Sequence, residues 1–289
     1  MRFIDVSDEP VRAVAVSPDG RHLAALAGTS VFVLNWDGQR QTKWNQRYAG
    51  QLAFSPDGEW LAVGGSAPVV WRVGEPRPQV PPHFAHTRYS GGVGFAPDGK
   101  HLYASRVPFG TAGERMDRWS LPLLKPAEGF DGWPPFPRLA FSPDGQFVGC
   151  VRHDRFELRF AVSGGISARL LMPGDPDSAF AAFSPDSTRA AVGWDGELHI
   201  LDALAGKEVR WLMSPGAPFR DASYTGSGKH LVTADDAGGL KFWNPTTWTV
   251  ERTYEWHAGP LTCVSCTADG LAGACGTESG KVLLFDVDE

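Results

Sequence analysis

The chain predicts an all-β fold: seven four-stranded antiparallel sheets set in a ring, a seven-bladed β-propeller. Three observations carry this. A turn phrase recurs at a near-constant interval, the same series of short strands flanks every copy, and the first segment of the chain supplies a strand that the last repeat lacks. The phrase reads SPDG from Ser17, Ser55 and Ser142, APDG from Ala96, SPDS from Ser184, TGSG from Thr225 and TADG from Thr267. Successive anchors lie 38 to 46 residues apart, the length of a four-stranded propeller blade.

The elements of one repeat follow in order. Strand one is short and apolar before each anchor, as in VRAVAV, GQLAF, GGVGF, FPRLAF, AFAAF, FRDASY and LTCVSC. The phrase then turns the chain: Pro favours the first corner, Asp bonds to nearby backbone and Gly tolerates positive φ. Strand two follows at once, as in HLAALAG, WLAVGG and HLVTAD, and strand three after a second turn, as in SVFVLN, PVVWRV and GLKFWN. A fourth, more polar strand closes six units, for example QTKWNQ, QVPPHF and VERTYEW. The seventh unit reaches Glu289 after its third strand, while MRFIDV precedes the first unit without a role in it. Pairing MRFIDV onto the last blade closes the ring and hides raw sheet edges, so residues 1–289 read as one domain.

Composition agrees and narrows the function. The 34 glycines and 23 prolines suit many turns, and no segment keeps helical periodicity over four turns. The net charge of −6 disfavours a nucleic-acid partner, which calls for a basic face. Apolar runs are strand-sized, well under the roughly 20 residues of a membrane helix. The start, MRFIDVSDEP, lacks the apolar region of a signal peptide. Four cysteines in 289 residues make no disulfide framework. A cytoplasmic, monomeric protein is expected.

The sequence resembles the WD40-repeat family over essentially its whole length, through the FSPDG turn, the period and the end of strand three. There the family's Trp-Asp slot reads Leu34-Asn35, Trp71-Arg72, Trp119-Ser120, Phe160-Ala161, Leu201-Asp202, Trp243-Asn244 and Phe285-Asp286. His86 and His257 are the nearest survivors of the family's Gly-His, and Asp195 and Asp236 stand at its turn between strands two and three. The family's hydrogen-bond network is complete in no repeat, so packing is expected to hold most blades. The resemblance implies peptide or protein partners held on the face formed by loops before strand one and between strands two and three.

Strand alternation gives a map of that face. The residue two before each anchor is Ala15, Ala53, Gly94, Ala140, Ala182, Ser223 or Ser265. All are small, as side chains crowded around an axis must be, and they are expected to point into the channel. Four before the anchor, toward the other mouth, stand Ala13, Gln51, Gly92, Arg138, Phe180, Asp221 and Cys263. Candidate partner contacts are Arg47, Tyr48, Arg88, Tyr89, Trp133, Arg138, Trp194, Phe219, Arg220, Asp221 and His257, because Arg and aromatics concentrate binding energy at interfaces. Trp194, beside the turn residue Asp195, is expected to lie uncovered. The long loops RVPFGTAGER and AEGFDGWPPFPR bring Phe109, Phe130, Trp133 and Phe136, which are expected to form a second docking patch. For each residue the alternative is packing on a neighbouring loop.

No catalytic or cofactor motif is complete. TGSGKH lacks the flanking residues of a phosphate loop, with Ser223 and His230 in their places. Cys263 and Cys266 are three apart on a strand and so face opposite ways, against a zinc or redox pair. His22, His101 and His230 recur in one slot after the turn, which is repeat grammar. The expected function is therefore a non-catalytic scaffold for a protein or peptide, without cofactor or metal. The alternative is a lactonase- or hydrolase-like propeller with its site in the channel mouth.

Overall fold

The computed structural model describes residues 1–81, 87–108, 115–131, 136, 138–151, 154–172, 179–214 and 216–287, without the side chains of 87–90, 106–108, 115 and 128–131. The described strands form seven antiparallel sheets, six of them in chain order from the channel outward and the seventh with the chain's first strand outermost. Blade one is Val11–Val16, His22–Ala27, Ser30–Asn35 and Arg40–Asn45. Blade two is Leu52–Phe54, Trp60–Val63 and Val69–Arg72, and blade three is Thr87–Phe95, His101–Pro108, Arg115–Ser120 and Lys125–Asp131. Blade four is Arg138–Phe141, Phe147–Val151, Arg155–Phe160 and Ile166–Leu171. Blade five is Phe180–Phe183, Arg189–Trp194, Glu197–Asp202 and Lys207–Met213. Blade six is Phe219–Tyr224, Leu231–Asp235, Gly239–Trp243 and Val250–Glu255. Blade seven is Leu261–Cys266, Ala272–Thr277 and Lys281–Asp286, completed by Arg2–Asp5 from the chain's start.

Blade two departs from the four-strand expectation. Its fourth position is reduced to one bridge, with Val70 and Gln79 exchanging N–H···O bonds of 2.8 and 2.6 Å. Pro76, Pro78, Pro81 and Pro82 surround Gln79, and proline cannot donate to a ladder.

The turn phrase is a small hydrogen-bonded knot. The Ser142 hydroxyl donates to Asp144 Oδ1 at 2.6 Å and accepts the Phe147 N–H at 2.9 Å, while Asp144 Oδ1 also accepts the Gln146 N–H at 3.0 Å. The same knot forms at Ser17, Ser55, Ser184 and Thr267. At Asp186 and Asp269 the hydroxyl bond is the main cause holding the carboxyl below its usual range. The Pro, Asp and Gly of the phrase were legible as turn chemistry; the hydroxyl, which was not, joins the turn to strand two. Ser142→Ala is expected to cost about 1–2 kcal/mol, since it orphans the Phe147 N–H. Blade three carries Ala96 at that place, so Ala96→Ser is expected to gain up to about 1 kcal/mol. Urea unfolding of both variants checks the pair.

Seven apolar clusters occupy the clefts between neighbouring blades, one to a cleft. The first strands touch one another around the whole circle, blade seven against blade one included. Alternate residues of strand one therefore enter different clefts. Val14 and Val16 pack between blades seven and one, while Ala13 and Ala15 pack between one and two. This refines the channel map: the residue two before the anchor leans toward the following blade, and Ala53, Gly94 and Ala140 still line one end of the channel. A Cβ on Gly94 would stand 3.0 Å from the Phe141 ring of blade four. Small residues are needed there because the sheets converge toward the axis.

Candidate functional site

The mouth where the first strands begin holds a cavity of about 130 Å³, lined among others by Arg12, Gln51, Arg138, Asp221 and Cys263. The sequence-derived pair Arg138 and Asp221 thus meets in one place. Asp221 Oδ2 accepts the Val264 N–H of blade seven and Oδ1 accepts the Ala222 N–H, both at 2.9 Å. Burial pushes its carboxyl up to about 6, against the pull of the Val264 N–H, Arg138 and the Ala222 N–H. Burial, with Asp221 nearby, also pushes the Cys263 thiol up to about 12.

Gln51 is the mouth residue that sequence reasoning left off the candidate set. Its Oε1 accepts the N–H groups of Val93 (3.2 Å) and Leu139 (3.0 Å), and its Nε2 donates to the Leu139 carbonyl. One side chain of blade two thereby ties blades three and four. The signal was present: Gln51 and Asp221 share the place four before the anchor, and each accepts the inward N–H of the next blade's first strand. Arg12, missed as well, is exposed and donates to the Gly28 carbonyl.

The remaining candidates scatter. Arg47 and Tyr48 are exposed, Tyr48 to 83 %. His257 is exposed too, and it and Tyr48 hold positive φ of 53° and 56°. Arg220 is half-exposed and clamps Asp236 with two bonds, one at 2.6 Å, so Asp236 serves this ion pair. Asp235 instead closes its turn, accepting the Ala237 and Gly239 N–H groups at 3.0 and 2.7 Å. Phe219 is buried and meets Trp243 edge-on at 6.0 Å. Trp194, expected uncovered, is buried, stacked 4.3 Å from the His199 ring at 9°. Neither can be a docking anchor as it stands.

Arg88 and Tyr89 pair with Val107 and Arg106 through their backbones, and their side chains lie outside the described residues. Trp133, Phe109 and the Phe130 side chain also lie outside them. Phe136 is fully buried, its N–H donating to Ser105 Oγ at 2.7 Å, which removes it from the proposed docking patch. Cys263 and Cys266 enter the clefts on opposite sides of blade seven, as their spacing required. Among the described residues no group of three or more His, Cys, Asp or Glu is placed to hold a metal ion, and no helix is long and apolar enough to cross a membrane.

No protein-family model matches the chain, and no curated protein matches it. The seven-bladed architecture and the mouth geometry are the grounds for function.

Asp221 sets a pH dependence of unusual sign. Its carboxyl titrates near 6 when folded and near 3.9 when unfolded. The folded chain therefore binds the extra proton between those values, and stability rises as pH falls from 6 toward 4. The gain is expected to be about 2–3 kcal/mol. Below it, Asp186 and Asp269, whose folded values are depressed, reverse the trend. Urea midpoints from pH 7 to 3 should pass through a maximum, and Asp221→Asn should remove the rise from 7 to 4.5.

Proposed function

We propose that this propeller is a non-catalytic scaffold of the WD40 kind, presenting the loop face around its upper channel mouth to a protein or peptide. The observation that supports it best is the loop carrying Arg47 and Tyr48. Gln46 is buried and its amide donates to the Ala67 carbonyl. The Arg47 carbonyl accepts the Ser66 N–H at 3.1 Å, and the Gln51 carbonyl accepts the Gly64 N–H at 2.9 Å. The loop is thus pinned to blade two while its Tyr and Arg side chains face solvent. An aromatic and an arginine held in advance bind with little ordering cost, which is what concentrates affinity at an interface. Arg12, Arg138 and His257 extend the same face. A cytoplasmic, monomeric protein without cofactor that binds neither nucleic acid nor membrane belongs to this reading, in keeping with the net charge of −6.

The test is quantitative capture of partners by wild type and by an Arg47→Ala, Tyr48→Ala double variant. The expected result is a loss of at least about tenfold in the bound partner, with the unfolding midpoint unchanged. Equal capture by both proteins overturns the reading, as does loss on the variant only through unfolding.

A further inference from the structure

The opposite end of the channel holds a larger cavity, about 430 Å³, lined by Phe54, Phe95, Phe141, Pro56, Pro97 and Pro143, with Ala53, Gly94 and Ala140 among the rest. The size lies within the range of small-molecule sites. Three equivalent sets of residues, from blades two, three and four, build it. Phe54 and Phe141 are half-buried, and Pro56 and Pro143 are exposed at its opening.

The polar inventory of this cavity follows from the strand pattern. Ser55, Ala96 and Ser142 donate their N–H groups to strand two. Alternation in an antiparallel edge strand then turns the N–H groups of Phe54, Phe95 and Phe141 the other way, to the channel. In blades seven and one the equivalent N–H groups are satisfied. Ser223 Oγ of blade six accepts from Cys266, and Ser265 Oγ of blade seven accepts from Val16, both at 3.2 Å. The matching places in blades one, two and three are Ala15, Ala53 and Gly94, which have no acceptor. Among the described residues no acceptor meets the N–H of Phe54, Phe95 or Phe141.

Charge around the opening narrows the ligand. Consecutive turns touch: a Cβ on Gly58 would stand 3.9 Å from Asp19, and one on Gly99 would stand 4.0 Å from Asp57. Asp57, Asp98 and Asp144 follow the three lining prolines and are exposed. Donors inside call for an acceptor, and a rim of carboxylates repels anions.

We propose that this lower cavity binds a small, uncharged carbonyl compound with an aromatic or aliphatic body, its oxygen accepting the channel-facing N–H groups and its body lying among the three phenylalanines. The site is separate from the upper binding face and does not depend on it. 3-Phenylpropanamide is a suitable probe, followed by calorimetry and by the amide resonances of the full chain. A Kd on the order of 1 mM is expected for a fragment of this size, with the Phe54, Phe95 and Phe141 N–H resonances moving most. The Ala15→Ser, Ala53→Ser double variant supplies acceptors to the Phe54 and Phe95 N–H groups, as Ser223 and Ser265 do for their neighbours, and should weaken the probe about tenfold. Ala53→Ser alone carries the test if the double variant does not fold. 3-Phenylpropanoate should bind more weakly than the amide. The proposal fails if the amide shows no binding at 20 mM (roughly twentyfold the expected Kd), if the variants bind it as tightly as wild type, if other resonances move instead, or if the carboxylate binds more tightly.

Discussion

Glu157→Ala is expected to cost about 3–5 kcal/mol, the penalty for leaving a buried charge without its partner. The reason lies in the register of blade four. Phe147, five residues after its anchor, pairs with Phe160. In blades one, two, three, five and seven the residue five after the anchor pairs with Asn35, Arg72, Ser120, Asp202 and Asp286, the second member of the slot at the end of strand three. Blade four therefore fills the slot with Arg159-Phe160, one residue earlier than the sequence suggests. Arg159 is buried where other blades bury Leu34, Trp71, Trp119, Leu201, Trp243 and Phe285, and Phe160 is 38 % exposed. Glu157 neutralises it: Oε2 accepts Arg159 Nε and a terminal nitrogen at 2.9 and 2.6 Å, and Oε1 accepts Arg169 at 2.8 Å. Arg159 also donates to the Gly164 carbonyl at 2.8 Å and lies 5.8 Å from the Phe136 ring centre.

Removing Glu157 strands Arg159, whereas Arg169 is half-exposed and is rehydrated cheaply. A Glu157→Leu, Arg159→Trp double variant restores the apolar filling of the other blades and is expected to match or exceed wild-type stability, because buried ion pairs seldom outdo well-packed apolar groups. Urea unfolding followed by tryptophan fluorescence measures both. A Glu157→Ala protein within about 1 kcal/mol of wild type would mean that Arg159 finds water or another partner.

The same strand shows where the sequence stops speaking. The turn knots are local, built from residues two and five apart, so each copy of SPDG announces itself. The slot of blade four is not local. FELRFAV offers Phe156 and Phe160 as equally good apolar ends, and only the cross-strand pairing decides between a buried Arg159 and a buried Phe160. Trp194 failed for a related reason. Its cover, His199, comes from a diagonal neighbour on strand three, since Trp194 itself pairs with Glu197. His199 is fixed in turn by Glu208 at 2.8 Å, a contact to the fourth strand that sequence spacing does not reveal. At the mouth, Asp221 and Arg138 were legible because a charged residue in an otherwise small or apolar column stands out. Gln51 stood in that column too, but it is uncharged, so its place was visible in the sequence while its partners, backbone groups of Val93 and Leu139, were not.

Deletion of Met1–Val6 is expected to cost about 3 kcal/mol or more, with self-association. Arg2, Phe3, Ile4 and Asp5 pair with Leu284, Leu283, Val282 and Lys281. The Val6 and Ser7 N–H groups both reach the Gly280 carbonyl, at 3.2 and 3.1 Å, and Ile4 and Val6 pack into the cleft between blades seven and one. Gly280, at φ +80°, lets the chain pass so closely that a Cβ there would lie 1.9 Å from the Ser7 carbonyl oxygen. Lost ladder bonds contribute about 1 kcal/mol each and the two aliphatic side chains about 1.5–2 kcal/mol each when buried, partly offset by the freed chain entropy. The exposed pairs Asp5–Lys281 and Met1–Asp286 add little. What deletion uncovers matters as much: KVLLFD from Lys281 becomes an apolar, unpaired edge, the kind that pairs with another chain. Size-exclusion chromatography should show oligomers, and a synthetic peptide MRFIDVSD added in trans should return the protein to monomer and restore its urea midpoint. A truncated chain that stays monomeric with its midpoint intact would mean that the seven inter-blade clefts hold the ring without the strand that joins its ends.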